Sequence, residues 1–194
     1  MHRYVISTQN ESGEKRRKQF FSEMKRIWRD DVEIFWWFDS KTYVRTVPLP
    51  EWAYVNNIWC KLAHIAILKD AVDKGYEEIT VMEDDLICCK HFKANFNHLI
   101  TNVPENWDML RFSWYFRPMQ VMKPVPWYIY RCEDTGPWGT ELYVIRWQEA
   151  IKKVYEFLRD YDINTPTDQV IFKAPVKSYM TAYSLWMQRD HYVN

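Results

Sequence analysis

The stretch Ile79-Thr80-Val81-Met82 runs directly into Glu83-Asp84-Asp85 and then Leu86-Ile87. The apolar, β-branched run predicts a buried strand over Glu78–Met82. Three carboxylates then fall just beyond the strand's carboxyl end, where open α/β sheets hold their ligands. Like charges a few ångströms apart repel, and each loses hydration near a core. A divalent cation removes that cost, because Mg²⁺ and Mn²⁺ take carboxylate oxygens, keep several waters and complete their shells with substrate phosphates. A solvated acidic turn is the plain alternative, and direct attachment to a buried strand weighs against it.

Upstream, a long helix starts near Glu51, carries Val55, Ile58, Trp59, Leu62, Ile65, Ala66 and Val72 at three- and four-residue spacing, and stops at Gly75. Before it lie a short strand over Arg3–Ser7, a helix over Glu14–Arg29 and a strand over Val32–Phe38. Downstream come a helix over His91–Ile100, strands over Asp108–Trp114, Val125–Arg131 and Glu141–Ile145, a helix from Trp147 to Tyr161, and a short helix opened by Pro166. The tail from Lys177 is mixed and aromatic. Strands alternating with helices predict an α/β layer architecture, with a sheet covered on both faces. The 194 residues, 47% of them hydrophobic, suit one core and one domain.

Glycine occurs four times in the chain. No GxGxxG turn, GxxxxGK[ST] cradle or GxSxG elbow can be written, so a bound nucleotide would need another way to hold its phosphates. A metal on the acidic turn is such a way. Lys plus Arg and Asp plus Glu both number 26, which gives no global pull toward nucleic acid or anionic membrane. The apolar runs are too short to span a bilayer and the start lacks a signal-peptide pattern, so the expectation is a cytoplasmic protein, in a host's cytoplasm if viral. Aromatic residues make up 18% of the chain. Most are expected in the core, while Trp114, Tyr115, Trp127 and Trp138 fall where rings stack on a sugar or base.

Several segments together resemble glycosyltransferase family 25. They are Cys60-Lys61-Leu62-Ala63-His64, then Val81 through Leu86, Phe92, Pro104-Glu105-Asn106-Trp107-Asp108 and Leu110. Val5-Ile6-Ser7 with Arg16-Arg17 is similar to the family's opening strand and its arginine, and Asp39 to its acidic residue after the second strand. Thr140-Glu141-Leu142-Tyr143 and Thr167-Asp168 resemble two later segments. The matches are collinear over nearly the whole chain. Bulky Ile58-Trp59 and Ala63, where the family has a small residue and a serine, depart from the pattern.

The resemblance implies a GT-A fold, that is, a single Rossmann-like α/β domain with a mixed central sheet flanked by helices. It also implies a nucleotide-sugar donor, a UDP-sugar by analogy, and a Mn²⁺ or Mg²⁺ ion. Asp85 is then the principal metal ligand, with Glu83 and the tail residue His191 beside it. Ser7, Arg17, Asp39, His64, Glu83 and Asp84 become donor-binding candidates. Asp168 is the candidate base for an inverting displacement, with Glu141 and Asp134 as substitutes; a carboxylate at that position also suits a helix N-terminus. The acceptor is a glycan or another hydroxyl compound.

Two rivals keep the same residues. The basic run Lys15-Arg16-Arg17-Lys18 raises hydroxymethylated DNA as acceptor, although such runs are usually solvated faces. Ala63 raises a degenerate module that binds without turnover. Cys60 and His64 lie one helical turn apart, and Cys88-Cys89 precede His91, which are spacings that can chelate zinc. Without paired CxxC knuckles, free thiols in packing roles are the expectation.

Overall fold

The computed structural model describes residues 2–8, 10–27, 33–36, 55–112, 123–125, 129–131, 139–181 and 186–188. Strand β1 (His2–Ser7) leads into helix α1 (Glu11–Ile27). Asn10 caps that helix by accepting the Gly13 N–H at 2.8 Å. A Cβ on Gly13 would collide with the Thr8 carbonyl, so only glycine lets the first turn close on the strand end. Phe20, Met24 and Ile27 bury one stripe of α1.

Strand β2 (Glu33–Trp36) precedes helix α2 (Val55–Asp73). Gly75, at φ 69°, stops α2 as the sequence predicts. The Tyr76 N–H returns to the Ala71 carbonyl and the Gly75 N–H to the Val72 carbonyl, both at 3.1 Å, which satisfies the last helical acceptors. Then follow β3 (Glu78–Glu83), β4 (Leu86–Cys88), α3 (Phe92–Asn102), β5 (Met109–Arg111), β6 (Lys123–Val125), β7 (Ile129–Arg131), β8 (Leu142–Arg146) and α4 (Gln148–Asp160). The short α5 (Thr167–Val170), a 3₁₀ turn over Ile171–Lys173, β9 (Ser178–Thr181) and β10 (Trp186–Gln188) complete the order.

The main sheet runs β2-β1-β3-β8-β5-β9-β7-β6. Strands β1, β2 and β3 pair in parallel, β8 runs against both β3 and β5, and β9 is parallel to β5. The carboxyl ends of β1, β3 and β5 therefore share an edge with the start of β8. Side chains alternate across the sheet. Val5, Met82, Leu142 and Val144 join Phe20, Met24, Phe92 and Phe96 in one cluster, whereas Tyr4, Ile6, Ile79, Val81, Tyr143 and Ile145 join Ala63, Ile67, Ile151 and Val154 in another. The expected mixed sheet flanked by helices is present. Among the described residues, no helix is long and apolar enough to cross a membrane.

Several strands depart from the sequence reading. β9 lies inside the sheet although its segment reads as a mixed tail, because Ser178 and Thr181 are fully buried beside Tyr179 and Met180 and leave no alternation to detect. β4, directly after the acidic turn, pairs with β10 over Leu86↔Gln188 to Cys88↔Trp186, a partner about a hundred residues away. The span predicted as one strand over Val125–Arg131 includes parts of two, β6 and β7, paired Val125↔Ile129.

Candidate active site

The shared edge collects polar side chains from every layer. Ser7 ends β1, Glu83 ends β3 and Arg111 ends β5, while Thr140 and Glu141 lead into β8. Register fixes their proximity, since Ile6 lies opposite Glu83 and Arg111 opposite Tyr143. Helix α2 adds Cys60 and His64 from successive turns, and α5 adds Asp168.

Asp84 faces α1. Its carboxylate, almost wholly buried, accepts the Ser7 hydroxyl at 2.6 Å and Arg16 Nε at 2.8 Å. Arg17 donates to Ser7 Oγ at 2.8 Å and to the Thr8 carbonyl. The Asp84 N–H donates to the Ile6 carbonyl at 3.1 Å. Ser7, Arg16, Arg17 and Asp84 thus form one charge-assisted network that fastens the acidic turn to the β1–α1 junction.

Glu83 faces α2. It accepts the Thr140 hydroxyl at 3.0 Å, and its Oε1 lies 3.7 Å from His64 Nε2. Burial, with Asp85 next in strength, pushes its carboxyl up to about 8. His64 is fully buried and holds its Nδ1 2.8 Å from the Tyr143 hydroxyl. Burial depresses its pKa to about 3, so the imidazole is neutral. Burial likewise pushes the Cys60 thiol up.

Glu141 is 7% exposed, and its Oε2 has no hydrogen-bond partner. Burial and then the charge of Glu83 push it up to about 8, against the pull of Arg111. Asp168 is raised by burial and restrained by Arg111 and by the backbone amides of Gln169 and Gly139. Arg111, itself 1% exposed, donates to the Gly139 carbonyl. It is the cation that acts on Glu141, Asp168 and His64 alike.

The structure thus brings Glu83, Asp84, Asp85, Glu141, His64, Asp168, Ser7 and Arg17 to one edge. Asp39, Asp134, His191, Trp114, Tyr115, Trp127 and Trp138 lie outside the described residues. Position 63 faces the hydrophobic cluster on the α2 side, so Ala63 takes no polar group from the site. The sequence reading missed Arg111. Its signal was a single charged residue inside the apolar run Met109-Leu110-Arg111-Phe112.

The donor chemistry fits a hard divalent cation. The half-buried Glu83 and the buried Glu141 repel each other, Asp85 acts on both, and Glu141 Oε2 is an orphaned acceptor. Added positive charge relieves each of these costs. Asp84 is already held by Ser7 and Arg16, so it is not the carboxylate of the turn that such an ion would take.

The curated proteins searched contain no match to this sequence. Among solved structures, the chain is similar to mannose-1-phosphate geranyltransferase from Thermus thermophilus, with a TM-score of 0.56 and 10% identity over 96% of this chain and 74% of that one. It is also similar to a glycosyltransferase involved in the glycosylation of the major capsid of PBCV-1, with a TM-score of 0.49 and 13% identity over 93% and 82% of the two chains. A family model described as glycosyltransferase family 25 (LPS biosynthesis protein) matches residues 55–171, a span that includes the acidic turn, β8 and Asp168. The chain belongs to glycosyltransferase family 25 and is a transferase of GT-A fold.

Proposed function

We propose that this glycosyltransferase is metal-dependent and moves a hexose from a nucleotide-sugar, a UDP-hexose by default, to a hydroxyl group of a glycan or similar acceptor, with inversion. The observation that carries this reading is the carboxyl pair Glu83 and Glu141, both pushed up to about 8 beside Asp85 at the carboxyl edge of the sheet. Such a cluster is costly without a cation and useful with one. Asp85 and Glu83 would hold the ion, which when bound supplies Lewis-acid stabilisation of the departing diphosphate.

Asp168 takes the acceptor's proton. Burial raises its basicity, while Arg111 and the amides of Gly139 and Gln169 restrain that rise and orient it. Glu141, which answers to the same Arg111, is the substitute base. Ser7, Arg16, Arg17 and Asp84 hold the floor on which the donor rests.

Modified DNA gains no support as acceptor. Lys15 and Lys18 pair with Glu11 and Glu14 along α1, at 3.1 and 2.8 Å, and Arg16 and Arg17 turn inward to the Asp84 network. The basic run is therefore paired along the surface of α1 or turned inward.

Incubating the protein with a panel of nucleotide sugars and Mn²⁺ tests the proposal. Slow release of nucleoside diphosphate from one donor is expected, and loss of that release in Asp85→Ala. Release from no donor, with every tested acceptor present, or release by Asp85→Ala at the parental rate, would overturn it.

A further inference from the structure

Behind the acidic turn a thiol, an imidazole and a carboxylate converge. Cys60 Sγ, a ring nitrogen of His64 and a carboxylate oxygen of Glu83 all lie within 4.8 Å of one another. Within this group His64 Nε2 and Glu83 Oε1 are 3.7 Å apart. Nitrogen and oxygen ligands at about 2.0–2.2 Å from one tetrahedral ion stand roughly 3.3–3.5 Å from each other. The pair is therefore within a few tenths of an ångström of ligand spacing, yet too far apart for a hydrogen bond.

The imidazole adds an independent observation. His64 is fully buried, and its Nε2 has no hydrogen-bond partner. Its Nδ1 sits 2.8 Å from the Tyr143 hydroxyl. With the proton on Nδ1 and donated to Tyr143, the Nε2 lone pair points toward Glu83. Metal-binding histidines use that tautomer and that kind of outer partner. Burial of an unpaired ring nitrogen is otherwise a cost with no return.

We propose that Cys60, His64 and Glu83 form a zinc site, with three protein ligands and a fourth position for water or another donor. A sulfur, nitrogen and oxygen set suits Zn²⁺, whereas Mg²⁺ and Mn²⁺ favour oxygen alone. The site is separate from the ion assigned to Asp85 and shares only Glu83 with it. It gives Cys60 a ligand role in place of the packing role expected from the sequence, because the third ligand comes from the end of β3, the next element of the chain. A bound zinc would fasten the first half of α2 to the end of β3.

Metal binding by the full chain, read without any transfer assay, tests this. After treatment with a chelator, titration with Co²⁺ is expected to give a near-ultraviolet thiolate-to-cobalt charge-transfer band that saturates at one equivalent per chain and is displaced by Zn²⁺. Cys60→Ser should abolish the band, and His64→Gln should weaken Zn²⁺ binding at least about tenfold, since even outer-shell partners are worth that much. A variant with Cys88, Cys89 and Cys132 all changed to Ser should keep the band, which isolates Cys60 without altering it. No band in the parent chain, a band that survives Cys60→Ser, or a band lost in the triple variant would each overturn the proposal.

Discussion

Glu83 and Asp84 share a peptide bond, yet they sit in opposite electrostatic settings. Asp84 accepts from Ser7 at 2.6 Å and from Arg16 at 2.8 Å, and its charge is matched. Glu83 accepts one hydroxyl, from Thr140, and otherwise meets a neutral imidazole and the like charges of Asp85 and Glu141. The alternation of a strand end turns one carboxyl toward α1 and the other toward α2. A run of acids is therefore not one electrostatic object. The matched member holds the fold, and the unmatched one is available to a ligand.

Changing each member separately breaks the comparison. Glu83→Gln keeps the acceptor for Thr140 and resembles the protonated acid, so the melting temperature of the metal-free protein should stay level or rise. Transfer should fall about 100-fold, or ~2.7 kcal/mol in the barrier, because the amide cannot ionise when a cation arrives. Parallel thermal melts and donor-release rates check both halves; a variant that melts earlier and still transfers would reverse the assignment.

Asp84→Asn should do the opposite. It leaves the Arg16 guanidinium with only the Ser12 and Thr8 hydroxyls, and with Arg16 partly open to water the cost is about 2–3 kcal/mol. That corresponds to a drop of roughly 5–10 °C in melting temperature. Residual activity, scaled to the folded fraction, should remain well above that of Glu83→Gln.

The smallest effect is in pH. Glu83 and Glu141 hold protons up to about 8 in the folded chain but lose them near ~4.3 when unfolded. Their contribution is full below ~4.3 and is lost progressively as pH rises from there to about 8. His64, depressed to about 3, has the other sign and costs stability only below its ordinary 6.5. Asp168, raised by burial, adds to the carboxyl trend, while Asp85 and Arg111 set its position. The melting temperature of metal-free protein should therefore decline between pH 6.5 and about 8.5, and Glu83→Gln should flatten the decline. A rising curve over that range would show that the pair is ionised throughout.

Much of this site was legible in the chain. The run Ile79 to Met82 into Glu83 marked a strand that ends in carboxylates, and the spacing of Cys60 and His64 put both on one face of α2. Arg111 and Tyr143 could not be placed in that way. A buried arginine in a strand looks like an exposed edge residue until its neighbours are known, and the Tyr143 hydroxyl meets His64 only because β8 lies beside β3.

The sequence by itself determined the local elements, including the stop of α2 at Gly75 and the acidic turn after β3, because periodicity and backbone sterics act over a few residues. Tertiary structure alone decided which acid is paired with arginine, that Glu83 meets Cys60 and His64, and that the tail strand β9 enters the sheet beside β5. Those outcomes depend on contacts between segments tens of residues apart. Strand register and helix docking, rather than residue type, settle them.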